Sequence, residues 1–136
     1  MLSRTLRKQT GGAKILVVDD DRYISAFMNI ILSQGGYEVV TAQDGFECID
    51  KAEREKPDLI LLDFMMPNMD GLTTLASLKN SKKTVNIPVI MVTSSDDKVN
   101  VIRAQESGAS GYVVKPIDKA LLFERIASIL KNATAQ

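Results

Sequence analysis

Asp58-Leu59-Ile60-Leu61-Leu62-Asp63-Phe64-Met65-Met66-Pro67-Asn68-Met69-Asp70-Gly71 is the stretch whose reading decides the fold. Leu59 to Leu62 shows no alternation of apolar and polar positions. A short, wholly apolar run bounded by turn formers suits a parallel strand covered on both faces. Pro67 and the Asp70-Gly71 pair stop that strand and set up a turn before a helix. On this reading the run delivers Asp63 to a sheet edge. Taken alone, a strand-end Asp more often merely opens a loop, so the other strands must decide.

Upstream, Lys14-Ile15-Leu16-Val17-Val18 is a second β-branched run, and it stops at Asp19-Asp20-Asp21. A helix follows, with Ile24, Phe27, Met28, Ile31 and Leu32 on one face of a 3.6-residue period and Gly35-Gly36 at its end. Asp21 suits the cap of that helix. Tyr37 to Ala42 reads as a strand, and Asp44 with Glu47 three residues on reads as a capping box opening the next helix, which Pro57 closes off. Downstream, a helix from about Leu72 to Asn80 would turn Leu72, Leu75 and Ala76 inward. Pro88 to Val92 is a fourth strand ending at Thr93-Ser94-Ser95. Asp96 to Ser107 is a weakly amphipathic helix whose strong apolar residues are Val99, Ile102 and Val101, and such weak anchoring marks an easily moved element. Gly111 to Val114 is a fifth strand ending at Lys115-Pro116. Asp118 caps a last helix with Leu122, Ile126, Ile129 and Leu130 inward.

Strand and helix thus alternate five times, which implies an α/β fold: a doubly wound, five-stranded parallel sheet with right-handed crossovers. Residues 1–13, basic and ending on Gly11-Gly12, are expected to be a flexible lead-in. Residues 14–131 are the domain, and residues 132–136 a tail. At 136 residues the chain can bury roughly two thirds of its unfolded surface and needs no staples. Seventeen basic residues balance seventeen acidic ones, so net charge proposes neither nucleic acid nor membrane as a partner. The absence of histidine excludes His triads and His metal sites, leaving carboxylates, hydroxyls and lysines for chemistry. The single Cys48 falls in a helical apolar pattern and reads as a small buried hydrophobe. With no signal-type or membrane-length apolar run, a reducing cytoplasm is the expected setting.

In open α/β sheets ligands bind beyond the carboxyl ends of the strands, where strand order reverses; for the flavodoxin-like order 2-1-3-4-5 that point lies between strands one and three. Those are the two strands ending in acids, and neighbouring strands lie about 4.8 Å apart. Asp19, Asp20 and Asp63 should therefore converge. Three crowded carboxylates make sense only if a divalent cation neutralises them or some are protonated, and an all-oxygen, water-accessible set suits Mg²⁺. Thr93 and Lys115 end the remaining central strands at the same rim. Carboxylate nucleophile, metal, hydroxyl and ammonium together describe a phosphoryl-transfer site.

Val17-Val18-Asp19-Asp20, Asp63 to Gly71, Thr93-Ser94-Ser95 and Tyr112-Val113-Val114-Lys115-Pro116, in this order and each at a strand end, resemble the receiver domain of two-component response regulators from about Lys14 to Lys131. The resemblance implies that Asp63 is the phosphoacceptor. It also implies that Asp20, Asp63 and the Met65 carbonyl bind Mg²⁺, with Asp19 acting mainly through metal-bound water. Lys115 would pair with Asp63 or its phosphate, and the Lys115-Pro116 bond would be cis. Thr93 would turn its hydroxyl to the phosphate, and Tyr112 would swing into the space vacated. The donor would be a histidine kinase or histidine phosphotransfer protein. The face built by helix 4, strand 5 and helix 5 would then signal to a downstream protein.

The resemblance also implies a chain that catalyses its own phosphorylation and dephosphorylation without being a conventional enzyme. Nothing after Lys131 is long enough for an output domain, so a stand-alone receiver is expected, with an excised piece of a longer protein as the alternative. A phosphorylation-independent interaction module on the same fold is the rival reading, disfavoured because every reactive position is filled. Flavin binding would want Ser, Thr or Gly where Asp19-Asp20-Asp21 stands. A haloacid-type phosphatase would want an Asp where Met65 stands.

Overall fold

The computed structural model describes residues 12–94 and 98–134. Five strands, β1 (Lys14–Val18), β2 (Glu38–Ala42), β3 (Leu59–Asp63), β4 (Val89–Thr93) and β5 (Gly111–Val114), alternate with five helices. The helices are α1 (Arg22–Gln34), α2 (Gly45–Glu55), α3 (Gly71–Lys79), α4 (Lys98–Glu106) and α5 (Lys119–Thr134). All strand pairs are parallel, in the order β2-β1-β3-β4-β5. The doubly wound architecture expected from the apolar runs is therefore the one observed.

Each strand sends alternate side chains to opposite faces, and two separate cores result. Ile15, Val17, Leu59, Leu61, Ile90, Val92 and Val113 pack with Met28 and Leu32 of α1 and Leu122, Ile126 and Leu130 of α5. Leu16, Val18, Ile60, Leu62, Val89 and Met91 pack with Cys48 and Ala52 of α2, Leu75 and Leu78 of α3 and Ala104 of α4. This double coverage is why β3 can be apolar from Leu59 to Leu62, every position before Asp63. The helices start and stop where local chemistry dictates. Asp21, Asp44, Asp70 and Asp118 each accept a backbone N–H from the first turn that follows. α1 ends in a Schellman turn: Gly36 takes φ 94°, and the Tyr37 N–H donates to the Leu32 carbonyl at 3.1 Å.

Several expectations need correction. In α1, Phe27 is 48% exposed; the helix buries Met28, Ile31 and Leu32, and Phe27 falls on the flank of that stripe. In α3 the inward positions are Gly71, Thr74, Leu75 and Leu78, while Ala76 faces solvent. Thr74 can be buried because its hydroxyl donates to the Asp70 carbonyl at 2.9 Å. In α4, Val99 and Ile102 are 63% and 54% exposed, and Ala104 is the residue that is buried. The carboxylate of Glu47 accepts from the Gln43 N–H, one residue before the Asp44 cap, so the capping box is displaced by one position. Ala13, placed in the lead-in by the sequence reading, packs in the core, and its carbonyl accepts from the Glu38 N–H. α5 runs through Thr134 and takes in residues expected to be tail. The lead-in up to residue 11, together with Ser95 and Asp96, lies outside the described residues.

Leu61 is buried at the centre of β3, and Ile102 stands in water. We expect Leu61→Ala to cost about 2–5 kcal/mol and Ile102→Ala to stay within about 0.5 kcal/mol of wild type, read as shifts of the urea midpoint at constant slope. A large loss in the Ile102 variant would mean that α4 packs by its apolar residues after all.

Candidate functional site

The parallel register determines which side chains share the rim at the carboxyl ends of the strands. Val18 pairs with Leu62, so Asp19 follows beside Asp63; Thr93 pairs with Val114, so Lys115 follows one step past Thr93, beside Ser94. The backbone continues these ladders past the strand ends. Asp19 N–H donates to the Ala42 carbonyl (3.1 Å), Phe64 N–H to Val92 (3.1 Å) and Lys115 N–H to Thr93 (2.8 Å). These bonds set the Cα positions from which the acids and the lysine project.

Asp19, Asp20 and Asp63 each bring a carboxylate oxygen to within 4.8 Å of the others. Asp19 and Asp63 are buried, whereas Asp20 is exposed. The Lys115 ammonium lies 2.9 Å from Asp63 Oδ1 and 3.6 Å from Asp19 Oδ2. Asp21 N–H donates to Asp19 Oδ1 at 2.9 Å, which orients that carboxylate, while the Asp21 carboxylate itself is spent on the α1 cap. The Lys115–Pro116 peptide bond is cis.

The electrostatics are those of an acid-rich, half-compensated cluster. Burial holds the Asp63 carboxyl above the usual carboxylate range; the hydrogen bond from Lys115 opposes this, and the charges of Asp19 and Asp20 reinforce it. Asp19 is likewise raised by burial, against the Asp21 N–H and the Lys115 charge. Burial would lower the Lys115 ammonium, but its hydrogen bond to Asp63 and the two carboxylate charges outweigh that and raise it. One ammonium therefore faces more negative charge than it can offset. Oxygen-only donors at this spacing, short of positive charge and open to water through Asp20, fit a hard divalent cation.

The remaining residues singled out in the sequence lie at the margins of this cluster. Thr93 is buried beside it, its hydroxyl donating to the Ser94 carbonyl at 3.3 Å. The Met65 side chain is 77% exposed, so only its backbone is available to the acids. Tyr112 stands apart, half-buried on β5 at the far edge of the sheet. Between Thr93 and Tyr112 opens a cleft of about 400 Å³, walled by Val101, Ile102 and Gln105 of α4.

Gly71 has a larger part than its sequence context suggests. The Asp-Gly pair reads as a turn signal, yet Gly71 is the first residue of α3, and a Cβ there would stand 2.5 Å from the Asp63 carbonyl oxygen and 2.8 Å from Phe64 Cα. Its N–H also donates to the Phe64 carbonyl at 3.0 Å. The absence of a side chain lets α3 press against the backbone that carries Asp63, a contact across the loop that no local pattern announces.

Comparison with known proteins agrees with this geometry. The family profile described as response regulator receiver domain matches residues 15–127. The chain is 44% identical over 119 residues to response regulator PleD of Caulobacter vibrioides, covering 88% of this chain and 26% of that protein. It is 39% identical over 120 residues to the alkaline phosphatase synthesis transcriptional regulatory protein PhoP of Bacillus subtilis, covering 88% of this chain and 49% of that one. The chain thus spans at most about half the length of these curated relatives. Among solved structures, a putative response regulator from Chloroflexus aurantiacus superposes with a TM-score of 0.83 at 30% identity, covering 92% of this chain and 99% of its own. Chemotaxis protein CheY4 of Vibrio cholerae gives 0.82 at 30% identity, covering 87% and 98%.

Two expectations follow from the geometry. Because the Asp19 and Asp63 carboxyls are raised above their ordinary value of 3.8, the folded chain holds protons that the unfolded chain has lost. Stability from these groups is greatest below that ordinary value and falls as pH rises through the raised ones. Asp63→Asn should therefore raise the melting temperature at pH 7 in divalent-free buffer, by an increment that shrinks towards pH 4; a variant less stable at pH 7 would contradict it. Gly71→Ala should cost about 1–3 kcal/mol in denaturant titration, and an unchanged midpoint would show that α3 can retreat freely from Asp63.

Proposed function

This chain belongs to the response regulator receiver domain family, and on that footing we propose that it takes a phosphoryl group from a phosphohistidine onto Asp63 and signals the change through the α4, β5 and α5 face. The observation that carries this reading is the meeting of Asp19, Asp20 and Asp63 oxygens within 4.8 Å, with the Lys115 ammonium 2.9 Å from Asp63. An acid-only or lysine-only rim would not serve. The first repels a phosphoryl anion, and the second offers no carboxylate to receive it.

In the proposed step a carboxylate oxygen of Asp63 forms a bond to phosphorus as the phosphorus–nitrogen bond to the donor imidazole breaks. The imidazole leaves with that electron pair and is protonated from solvent. These 136 residues hold no histidine, so the donor lies outside them, on a histidine kinase or a histidine phosphotransfer protein. Asp19, Asp20, Asp63 and the Met65 carbonyl would hold Mg²⁺, whose contribution when bound is to neutralise the phosphoryl oxygens. Lys115 stays beside the modified Asp63 and pairs with a phosphoryl oxygen. The Thr93 hydroxyl, spent on the Ser94 carbonyl in the present arrangement, rotates towards the new acceptor oxygens. Attack of water on phosphorus returns the carboxylate and inorganic phosphate, so the state is reversible without a second active site.

Signal output follows from the added charge. The acyl phosphate carries new acceptor oxygens and about one further negative charge into the rim. Thr93 and Lys115 are drawn towards it, and Tyr112 moves into the cleft beside α4. The apolar side chains of Val99 and Ile102, already facing outward, suit contact with a downstream protein. Moving such an element almost completely between two states needs about 5.5 kcal/mol of differential stabilisation, and a smaller bias gives partial activation. A cytoplasmic setting goes with this reading. Among the described residues no helix is long and apolar enough to cross a membrane.

One labelling experiment tests the scheme. With acetyl phosphate and Mg²⁺, wild type should incorporate one phosphoryl group and Asp63→Asn none, scored by intact mass. Thr93→Ala should be labelled yet fail to shift the Tyr112 environment. Undiminished labelling of the Asn variant would move the acceptor elsewhere, and a normal response in the Ala variant would break the proposed coupling.

A further inference from the structure

β5 is an edge strand, so its side chains are covered on their faces but open along one side. Val113 enters the core shared with α1 and α5, whereas Tyr112, one residue earlier, turns to the opposite face and packs against the core shared with α2, α3 and α4. Arg125 lies on α5, immediately before the buried Ile126, and its side chain is exposed. Its guanidinium nevertheless lies over the Tyr112 ring, 5.8 Å from the centroid. The arginine has therefore reached around the open edge, from the helix layer on one side of the sheet to an aromatic ring that belongs to the other.

A guanidinium over a phenol ring is attracted by the negative face of the aromatic quadrupole, and the attraction holds only while the ring stays at the edge. Thr93, Lys98, Val101, Ile102 and Gln105 complete the cleft of about 400 Å³ that Tyr112 borders, room enough for the same ring in a second position. One position is held by Arg125 and the other by nothing until Thr93 moves.

From this we infer that Arg125 is a positioning residue for the switch tyrosine, a latch that keeps the Tyr112 ring at the sheet edge and so sets how readily the activated arrangement is reached. The inference rests on the switching role proposed above and adds a residue outside the phosphoryl site. Arg125 touches neither Asp63 nor Lys115. Its effect on the acceptor site is exerted wholly through the balance between two positions of Tyr112. By linkage, whatever weakens the latch must tighten the site's hold on a phosphoryl group by the same factor.

The test uses the whole chain with ¹³C-labelled tyrosine. The resonances of Tyr23, Tyr37 and Tyr112 are resolved, with Tyr112→Phe to assign the third. Beryllofluoride with Mg²⁺ serves as the phosphoryl stand-in. In Arg125→Met, which keeps the aliphatic stem and loses the cation, the Tyr112 resonance should lie displaced from wild type towards its beryllofluoride-saturated position. Half-saturation should fall by about two- to five-fold, the ratio an exposed cation–ring contact supports. Arg125→Lys, which keeps a cation, should restore most of the wild-type behaviour. If wild-type Tyr112 responds to beryllofluoride but the Met variant titrates identically, the latch is wrong and the switch stands. If the Met and Lys variants shift equally, a cation at this position is not what holds the ring, and the latch is again wrong. If wild-type Tyr112 does not respond at all, the switching role itself fails and the latch with it, a result distinct from the other two.

Discussion

The arrangement depends on the 2.9 Å contact between the Lys115 ammonium and Asp63 Oδ1, made across the rim from β5 to β3. Two carboxylates are buried beside it and a third stands within 4.8 Å, so the lysine offsets only part of their charge. A buried, under-compensated acid cluster costs stability, and the raised carboxyl groups of Asp19 and Asp63 are the sign of that cost. The sheet tolerates it because both faces are filled by apolar side chains from ten elements in strict alternation. The core supplies the stability that the rim gives up.

The same rim carries more aspartates than those in the cluster, and their backbone partners sort them. Asp21, Asp44, Asp70 and Asp118 each accept a first-turn N–H and serve as helix caps, where the positive end of the helix dipole favours a carboxylate. Asp19 accepts one N–H, from Asp21, and both Asp19 and Asp63 face the ammonium. In α/β folds of this kind helix N-termini and strand C-termini share one end of the molecule. Caps and clustered acids are therefore neighbours by topology, and residue type alone does not separate them.

Most of the architecture was legible in the sequence because it depends on local signals. Wholly apolar runs gave the strands, and Asp and Gly punctuation gave the helix ends. The convergence of Asp19, Asp20, Asp63 and Lys115 followed once strand order was assumed. What was hidden depends on contacts between distant segments. Gly71 reads as a turn glycine until the approach of α3 to the Asp63 carbonyl is seen. Val99 and Ile102 look like the anchors of α4, yet the helix turns them to solvent and seats Ala104 in the core. Thr74 is polar and buried, a combination that periodicity misses and a hydrogen bond to the preceding turn explains.

The seating of α4 bears on how a change at Asp63 travels. Around β1 and β3 the rim is pinned by strand ladders, by the Asp21 cap and by the close approach of α3, and few of these can yield without breaking a buried hydrogen bond. Around β4 and β5 the restraints are weaker: an edge strand, a helix with one buried residue, a cleft of about 400 Å³ and a threonine bonded at 3.3 Å to its neighbour's carbonyl. Elements with few buried apolar contacts open at the lowest free energy. On the proposed reading, charge placed on Asp63 would meet a stiff wall on one side and a compliant one on the other, and displacement would run towards α4 and Tyr112. The proposed direction of signalling would then be a consequence of where the packing is thin, and it would require no dedicated pathway of residues between the acids and the outer face.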